Sequence, residues 1–530
     1  MKSITIDRAF FGLLTVASLT SAGCYAPSDE RGSSDTDAMD AGSDGESPLS
    51  GLDDGDPSDD ESGEEGETGG TGDDDNDDDP MPEPMEGNAL VRVIHGAPDA
   101  PAVDIYVEGS DEPVITDLAY TETSDWLEVP AGAYNFQVRV AGGSPLDIPI
   151  YETGELTLPE GAAVSALAAG LLDTMGNNGF RAIPLVEGWD SETLGQARVR
   201  IVHAGSDAPA VDIDVGADGE IEIEAVTRFS ETGAGGVSLP AEVALRIGIA
   251  VDGDLVTTFT TPELPDGGEV IIIATGLLGK LAREDDGFGL LAVGPQGTIG
   301  FIKQDPEIIA LHASPDAPEV DLCAGDTLLA SHLTFGGMQR AQVSPGNYEV
   351  ALYPSPSNCG GTAAVVDSTG ELEAGQRYLL LATGELSPVA GEPPAQIVAF
   401  QEHFTLDMED DAVLRLVHGA PAPEVDVGVV TGAMIEEGNV LAVGLKWPNV
   451  TDEIPLQPLT YQLGFAAAGQ ATPLLPIVDF HVPAEAGVRG WVVAAGDLTP
   501  EANEESFRLM MVDTSTAPWS VTELMPNSAG

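Results

Sequence analysis

Four histidines, each followed at near-constant spacing by an aspartate, are the residues of this 530-residue chain best placed to do chemistry. His95, His203 and His312 precede Asp104, Asp212 and Asp321 by nine residues, and His418 precedes Asp426 by eight. A proline-containing turn lies between the members of each pair, so a corner there could bring imidazole and carboxylate together. A metal centre needs three or four ligands around one point. Each copy offers one His and one Asp with no second His nearby, so no metal ligand is assigned. A serine hydrolase would need a nucleophile on a sharp turn, and Gly-x-Ser-x-Gly is absent. Ser314 stands two residues after His312, but Ala97 and Ala420 hold that place in the first and last copies. Paired carboxylates suited to glycoside hydrolysis carry no signal where acids are this abundant. No catalytic residue and no cofactor is therefore expected. The structural reading is that His caps a strand end, its ring N–H bonded to a carboxylate or backbone carbonyl. Asp-Ala-Pro then pins the turn through a local Asx bond and the fixed φ of proline. Arg92, Arg200 and Arg415 lie three residues before the histidine, with Ile309 in the third copy. On a strand they face away from it, which suits surface salt bridging or, alternatively, a shared anion-binding stripe.

The elements that must hold these residues recur with them. The histidines are 108, 109 and 106 residues apart, the length of a whole domain. A Pro-rich turn and alternating strand recur in phase at Pro130, Pro240, Pro345 and Pro458. A fully apolar strand ending in glycine comes next in each copy, closing at Gly170, Gly276, Gly384 and Gly496. Runs within a copy are short, alternate polar with apolar, and are bounded by Gly, Pro, Asp and Asn. About seven strands in ~107 residues predicts an all-β chain of four tandem immunoglobulin-like antiparallel β-sandwich domains. The expected domains are 89–196, 197–304, 305–407 and a divergent 408–530.

The run from Arg92 through His95-Gly96-Ala97-Pro98-Asp99-Ala100-Pro101 to Asp104-Ile105-Tyr106-Val107 resembles the opening of the bacterial domain-of-unknown-function 4397 family. His203 to Pro209 and His312 to Pro318 match it closely, and His418 to Asp426 matches with one residue lost. The resemblance implies extracytoplasmic β-sandwich-like modules, often in tandem. It implies no activity.

Lys2 and Arg8 precede the apolar run Ala9 to Leu19, too short to span a bilayer but suited to a signal peptide. Ala22-Gly23-Cys24 comes after it, which resembles a bacterial lipoprotein signal over residues 1–23 with Cys24 as the lipid-attachment residue. Ser21 departs from the usual Leu, and ordinary secretion with Cys24 incidental is the alternative. In the family rule, Tyr25 in place of Asp favours the outer membrane.

Residues 24–88 read as a disordered acidic tether. Between 25 and 88 there are 24 acidic residues and one basic residue, Arg31, with too little apolar surface to offset chain entropy. The run Asp73 to Asp79 lacks the central Gly and terminal Glu of a calcium loop. The whole chain carries a net charge of -71, which excludes nucleic acid and anionic lipid headgroups as partners.

Beyond Cys24 the cysteines are Cys323 and Cys359, 36 residues apart in one domain. Outside the cytoplasm such a pair is expected to form a structural disulfide, worth on the order of 3 kcal/mol. The functional expectation is a non-catalytic cell-envelope lipoprotein of a Gram-negative bacterium, tied to the membrane by its lipid. Its tandem modules would bind a surface glycan or an envelope protein. The alternatives are a purely structural surface spacer and, more weakly, an accessory chain of an extracellular hydrolase.

Overall fold

The computed structural model describes residues 82–524, apart from 173, 192, 406–411, 475–476, 483–486 and 516. The expected signal segment, Cys24 and the expected tether up to residue 81 lie outside the described residues. The regular elements of the described residues are all strands, apart from one three-residue 3-10 turn, Gly176–Asn178.

The first repeat sets the pattern. Its strands are β1 (Asn88–His95), β2 (Val103–Val107), β3 (Ile115–Leu118), β4 (Leu127–Pro130), β5 (Gly132–Val140), β6 (Tyr151–Leu158), β7 (Ala163–Ala169) and β8 (Arg181–Val186). They form two sheets, ordered β4-β1-β7-β8 and β3-β2-β5-β6. All pairings are antiparallel except β1 with β7, which run parallel at the centre of the first sheet, Val93 opposite Ala166 and His95 opposite Ala168. The other repeats open with strands Gln196–His203, Glu307–His312 and Ala412–His418, and repeat both sheet orders. Repeats 1 and 3 have eight strands; repeats 2 and 4 add a ninth at the edge of the first sheet, Gly297–Ile302 and Ser520–Leu524. The expected seven is thus too few. The extra strands are an edge hairpin and short partners of three or four residues, below the length at which alternation can be recognised.

Each sandwich closes over its own core, where Val91, Val103, Ile105, Phe136 and Val138 meet in repeat 1. A second set of cores lies between repeats. Ile94, Leu167, Ala169 and Leu185 of repeat 1 pack on Val202, Ile271, Ile273 and Leu291 of repeat 2. Leu311, Leu379 and Leu381 of repeat 3 likewise pack on Val413, Val417, Trp491 and Val493 of repeat 4. The sheet holding the parallel pair is therefore covered on both faces. That is why its strands read as apolar throughout, whereas the outer sheet alternates. Each large aliphatic side chain so buried contributes roughly 1.5–3 kcal/mol. Repeats 2 and 3 meet through polar groups instead. Asp305 accepts from Arg246 Nε at 3.1 Å and Thr258 Oγ1 at 2.6 Å, and Arg246 Nη2 donates to the Gln342 carbonyl at 2.7 Å.

Candidate functional site

Each motif histidine ends the first strand of its repeat, on the face turned into its own sandwich, and is 0–2 % exposed. Its Nε2 donates to the carbonyl of the last proline of the turn. The distances are 3.1 Å from His95 to Pro101, 2.7 Å from His203 to Pro209, 3.1 Å from His312 to Pro318 and 3.0 Å from His418 to Pro423. On the other nitrogen, Nδ1 accepts a backbone N–H two residues on, from Ala97 at 3.4 Å and Ser314 at 3.3 Å. A ring that donates from one nitrogen and accepts at the other is neutral. Burial lowers the pKa of all four rings, against the opposing pull of the proline carbonyls.

The aspartates do not turn to the histidines. Asp104 accepts from the Asp117 N–H at 2.9 Å and the Gly142 N–H at 3.0 Å. Asp212 accepts from Ala225 at 2.7 Å, and Asp426 from Gly444 and Gly469 at 2.7 Å each. Asp321 accepts from His332 at 3.0 Å and from the Ser357 N–H and hydroxyl at 2.7 and 2.8 Å. The first donor is in every case a residue at positive φ: Asp117 at 53°, Ala225 at 55°, His332 at 52° and Gly444 at 58°. The aspartate thus holds a left-handed backbone kink, which an L side chain adopts only at a cost. Burial alone would raise the Asp321 carboxyl, but the two backbone bonds and the neighbouring serine hydroxyls outweigh it and hold the group well below the carboxylate range. Ser314 donates to the Gly384 carbonyl at 2.6 Å and so is committed structurally.

The turn aspartate works differently from expectation. Asp99 makes no local Asx bond; its carboxylate accepts from the Leu172 N–H, at 2.9 Å and 73 residues away. Asp207 reaches Leu278 at 3.0 Å, and Asp316 reaches Leu386 and Ser387 at 2.7 and 2.8 Å. Each of these donors lies just past the glycine that ends the central apolar strand. That glycine is forced: at Gly170 φ is +91° and a Cβ would sit 2.4 Å from the Gly179 carbonyl oxygen, with the same clash at Gly276, Gly384 and Gly496. The motif therefore staples the ends of the two parallel strands together. Repeat 4, one residue shorter here, has no aspartate at this place.

The arginines of the first two repeats are buried between them rather than lying on the surface, and each is ion-paired, Arg92 with Glu187 and Arg200 with Glu231. Arg92, 1 % exposed, donates to Ser165 Oγ at 2.7 Å, to Glu187 at 2.9 Å and, across the interface, to the Gly294 carbonyl at 2.7 Å. Arg200 answers from repeat 2 by donating to the Val186 carbonyl at 2.8 Å. Gly294 and Val186 end equivalent strands, so the exchange is reciprocal. Arg415 is half-buried and bonds the Thr451 carbonyl at 2.9 Å. Ile309 is buried between repeats 3 and 4. Sequence reasoning missed this role because an arginine between apolar neighbours looks like an exposed position.

Cys323 and Cys359 are bonded, S–S 2.08 Å. The bridge ties down the same loop that Asp321 holds through Ser357. Among the described residues no group of three or more His, Cys, Asp or Glu could hold a metal ion.

The family model described as Domain of unknown function (DUF4397) matches residues 89–214 and 306–428. The first match spans repeat 1 and the opening of repeat 2, the second repeat 3 and the opening of repeat 4. No curated protein matches. Among solved structures, "The Bacillus anthracis TIE protein" aligns over 80% of this chain and 69% of that one, at 9% identity and a TM-score of 0.13, too low to inform the fold. The recurring histidine turn, its far-reaching aspartates and the family matches agree: residues 89–214 and 306–428 belong to the domain-of-unknown-function 4397 family, and the chain carries that domain in tandem.

Proposed function

We propose that the chain is a non-catalytic cell-envelope lipoprotein, anchored through Cys24, that displays its sandwiches for binding to a surface glycan or an envelope protein. The observation that carries this reading is that every motif group is spent on the fold. The four histidines each bond a turn carbonyl, the aspartates hold kinks, and Arg92 and Arg200 lock the interface of the first two repeats. The outer sheets, the loops and one interior cavity are left for partners. The acidic surface would steer the protein away from polyanions and toward neutral or cationic partners. A spacer is the second reading, favoured by the covering of the inner sheets, which stiffens adjacent repeats and removes four potential binding faces. A binding screen of the whole chain, and of the pairs 82–304 and 305–524, against envelope glycans and isolated envelope proteins separates the two. Saturable binding by either pair supports display for binding; clean negatives across the screen leave the spacer. Lipidation is checked by the mass of the mature N-terminus, where an unmodified Cys24 contradicts the anchor.

A further inference from the structure

The sandwiches are unequally filled. Repeat 1 encloses about 250 Å³ between its two sheets, against about 40 Å³ in repeat 2 and about 20 Å³ in repeat 4. The register shows why. On the central apolar strand, the residue paired two positions before the motif histidine is Ala166 in repeat 1 but Ile272, Leu380 and Val492 in the others. On the next strand, Ala182 stands where the other repeats have Leu290, Ile397 and Leu509. Two inward side chains that fill the other three cores are truncated to methyl groups in repeat 1. Close packing is the rule in protein interiors, and a void of this size is a standing loss of contacts unless something occupies it.

The void reaches the rim of the sandwich. It is bounded by the free edges of the two sheets, Tyr151, Thr153 and Glu155 on β6, Ala182 and Pro184 on β8, and Phe180 just before β8. The Tyr151 and Phe180 rings meet edge-on at 4.9 Å, and the Tyr151 hydroxyl accepts a long 3.4 Å bond from the Ala182 N–H. In repeat 3 the same edges are latched, with Asp367 accepting from the Ile397 N–H at 2.8 Å. The walls are aliphatic and aromatic: Val91, Val93, Ile105, Phe136 and Val138. His95 and Thr153 are already paired within the protein, and the one charged group is Glu155 at the rim.

We propose that repeat 1 is a binding site for one uncharged, largely apolar small molecule, entering between β6 and β8. A dry apolar cavity of ~150 Å³ takes up benzene, so 250 Å³ suits a fused-ring or medium-chain body. No cation lines the cavity, and Glu155 together with the chain's net charge turns away an anionic head. The proposal is independent of the surface reading above: the cavity can bind while every glycan fails, and the reverse.

The test uses the full chain and two dyes of nearly one shape, neutral N-phenyl-1-naphthylamine and anionic anilinonaphthalene sulfonate. The neutral dye is expected to bind saturably at one site per chain, and the sulfonate at least tenfold more weakly. The Ala166→Ile/Ala182→Leu variant, carrying residues found at these places in repeat 2, is expected to lose neutral-dye affinity at least tenfold with an unchanged β-sheet spectrum. If that double variant misfolds, Ala182→Leu alone is expected to lose at least threefold. Absence of neutral-dye binding, equal affinity for the sulfonate, or full affinity in a folded filled variant would overturn the proposal.

Discussion

At the residue scale, polar groups that invited a catalytic reading are instead terminations of strands. The buried histidines have a pH consequence. Their folded-state pKa lies below the ordinary 6.5, so between those values the unfolded chain binds more protons than the native one. Stability is complete above pH 6.5 and falls as the pH drops below it. Relative to the parent chain, His95→Gln with His203→Gln, which keeps a donor for each carbonyl, should therefore gain in denaturant midpoint as the pH is lowered from 7.5 to 5; a difference that does not change with pH would remove the histidines from the account. Glu385 has the opposite dependence. It is 3 % exposed, and burial first, then Asp316, Glu504 and Asp497 around it, push its pKa up to about 8. The native state holds that proton where the unfolded chain releases it, so stability is lost as pH rises from about 4.5 through 8. Glu385→Gln should be neutral near pH 4.5 and increasingly stabilising up to pH 8, in the same denaturant assay. Asp321→Ala leaves the His332 and Ser357 N–H groups unpaired and should cost about 1–3 kcal/mol at neutral pH.

At the element scale, the strand that carries the motif was legible and its surroundings were not. Val91-Arg92-Val93-Ile94-His95 alternates well enough to be recognised as a strand. The placement of Val91, Val93 and His95 on one face comes from period two alone. Ile94 on the other face, and the unbroken run Ile271-Ile272-Ile273, were signs that this sheet is covered twice. They were indistinguishable from an ordinary buried strand until a partner sheet was in view. The kinks at Asp117, Ala225 and His332 had no sequence signal, because no glycine marks them. The cysteine pair was readable from compartment and count, and the loop it closes coincides with the one Asp321 anchors. The arginine pair gives the sharpest mutational contrast. Arg92→Ala leaves the buried Glu187 carboxylate without its counter-charge and the other acceptors of the guanidinium without their donor, and should cost about 3–5 kcal/mol in unfolding. Arg415→Ala removes a half-exposed group and should cost under about 1 kcal/mol.

At the scale of the whole molecule, four sequence repeats become two face-to-face pairs. The five tryptophans of the chain all stand at the pair interfaces. Trp126 lies under Arg92, 4.3 Å from its guanidinium, and donates to the Pro295 carbonyl of repeat 2 at 2.9 Å. Trp189 packs on the cluster shared by repeats 1 and 2. Trp491 and Trp519 lie in the cluster shared by repeats 3 and 4, and Trp447 of repeat 4 donates to Thr383 of repeat 3 at 3.1 Å. Tryptophan emission thus reports on pairing, while far-ultraviolet circular dichroism reports on the strands. The most direct test of the paired architecture is to follow both signals through one urea titration of the full chain. Pairing as a condition of the fold predicts blue-shifted native emission and a red shift that coincides with loss of the sheet signal. Native emission already characteristic of water-exposed tryptophan, or a red shift completed while the sheet signal is intact, would mean that the repeats stand as separate beads and would contradict the account.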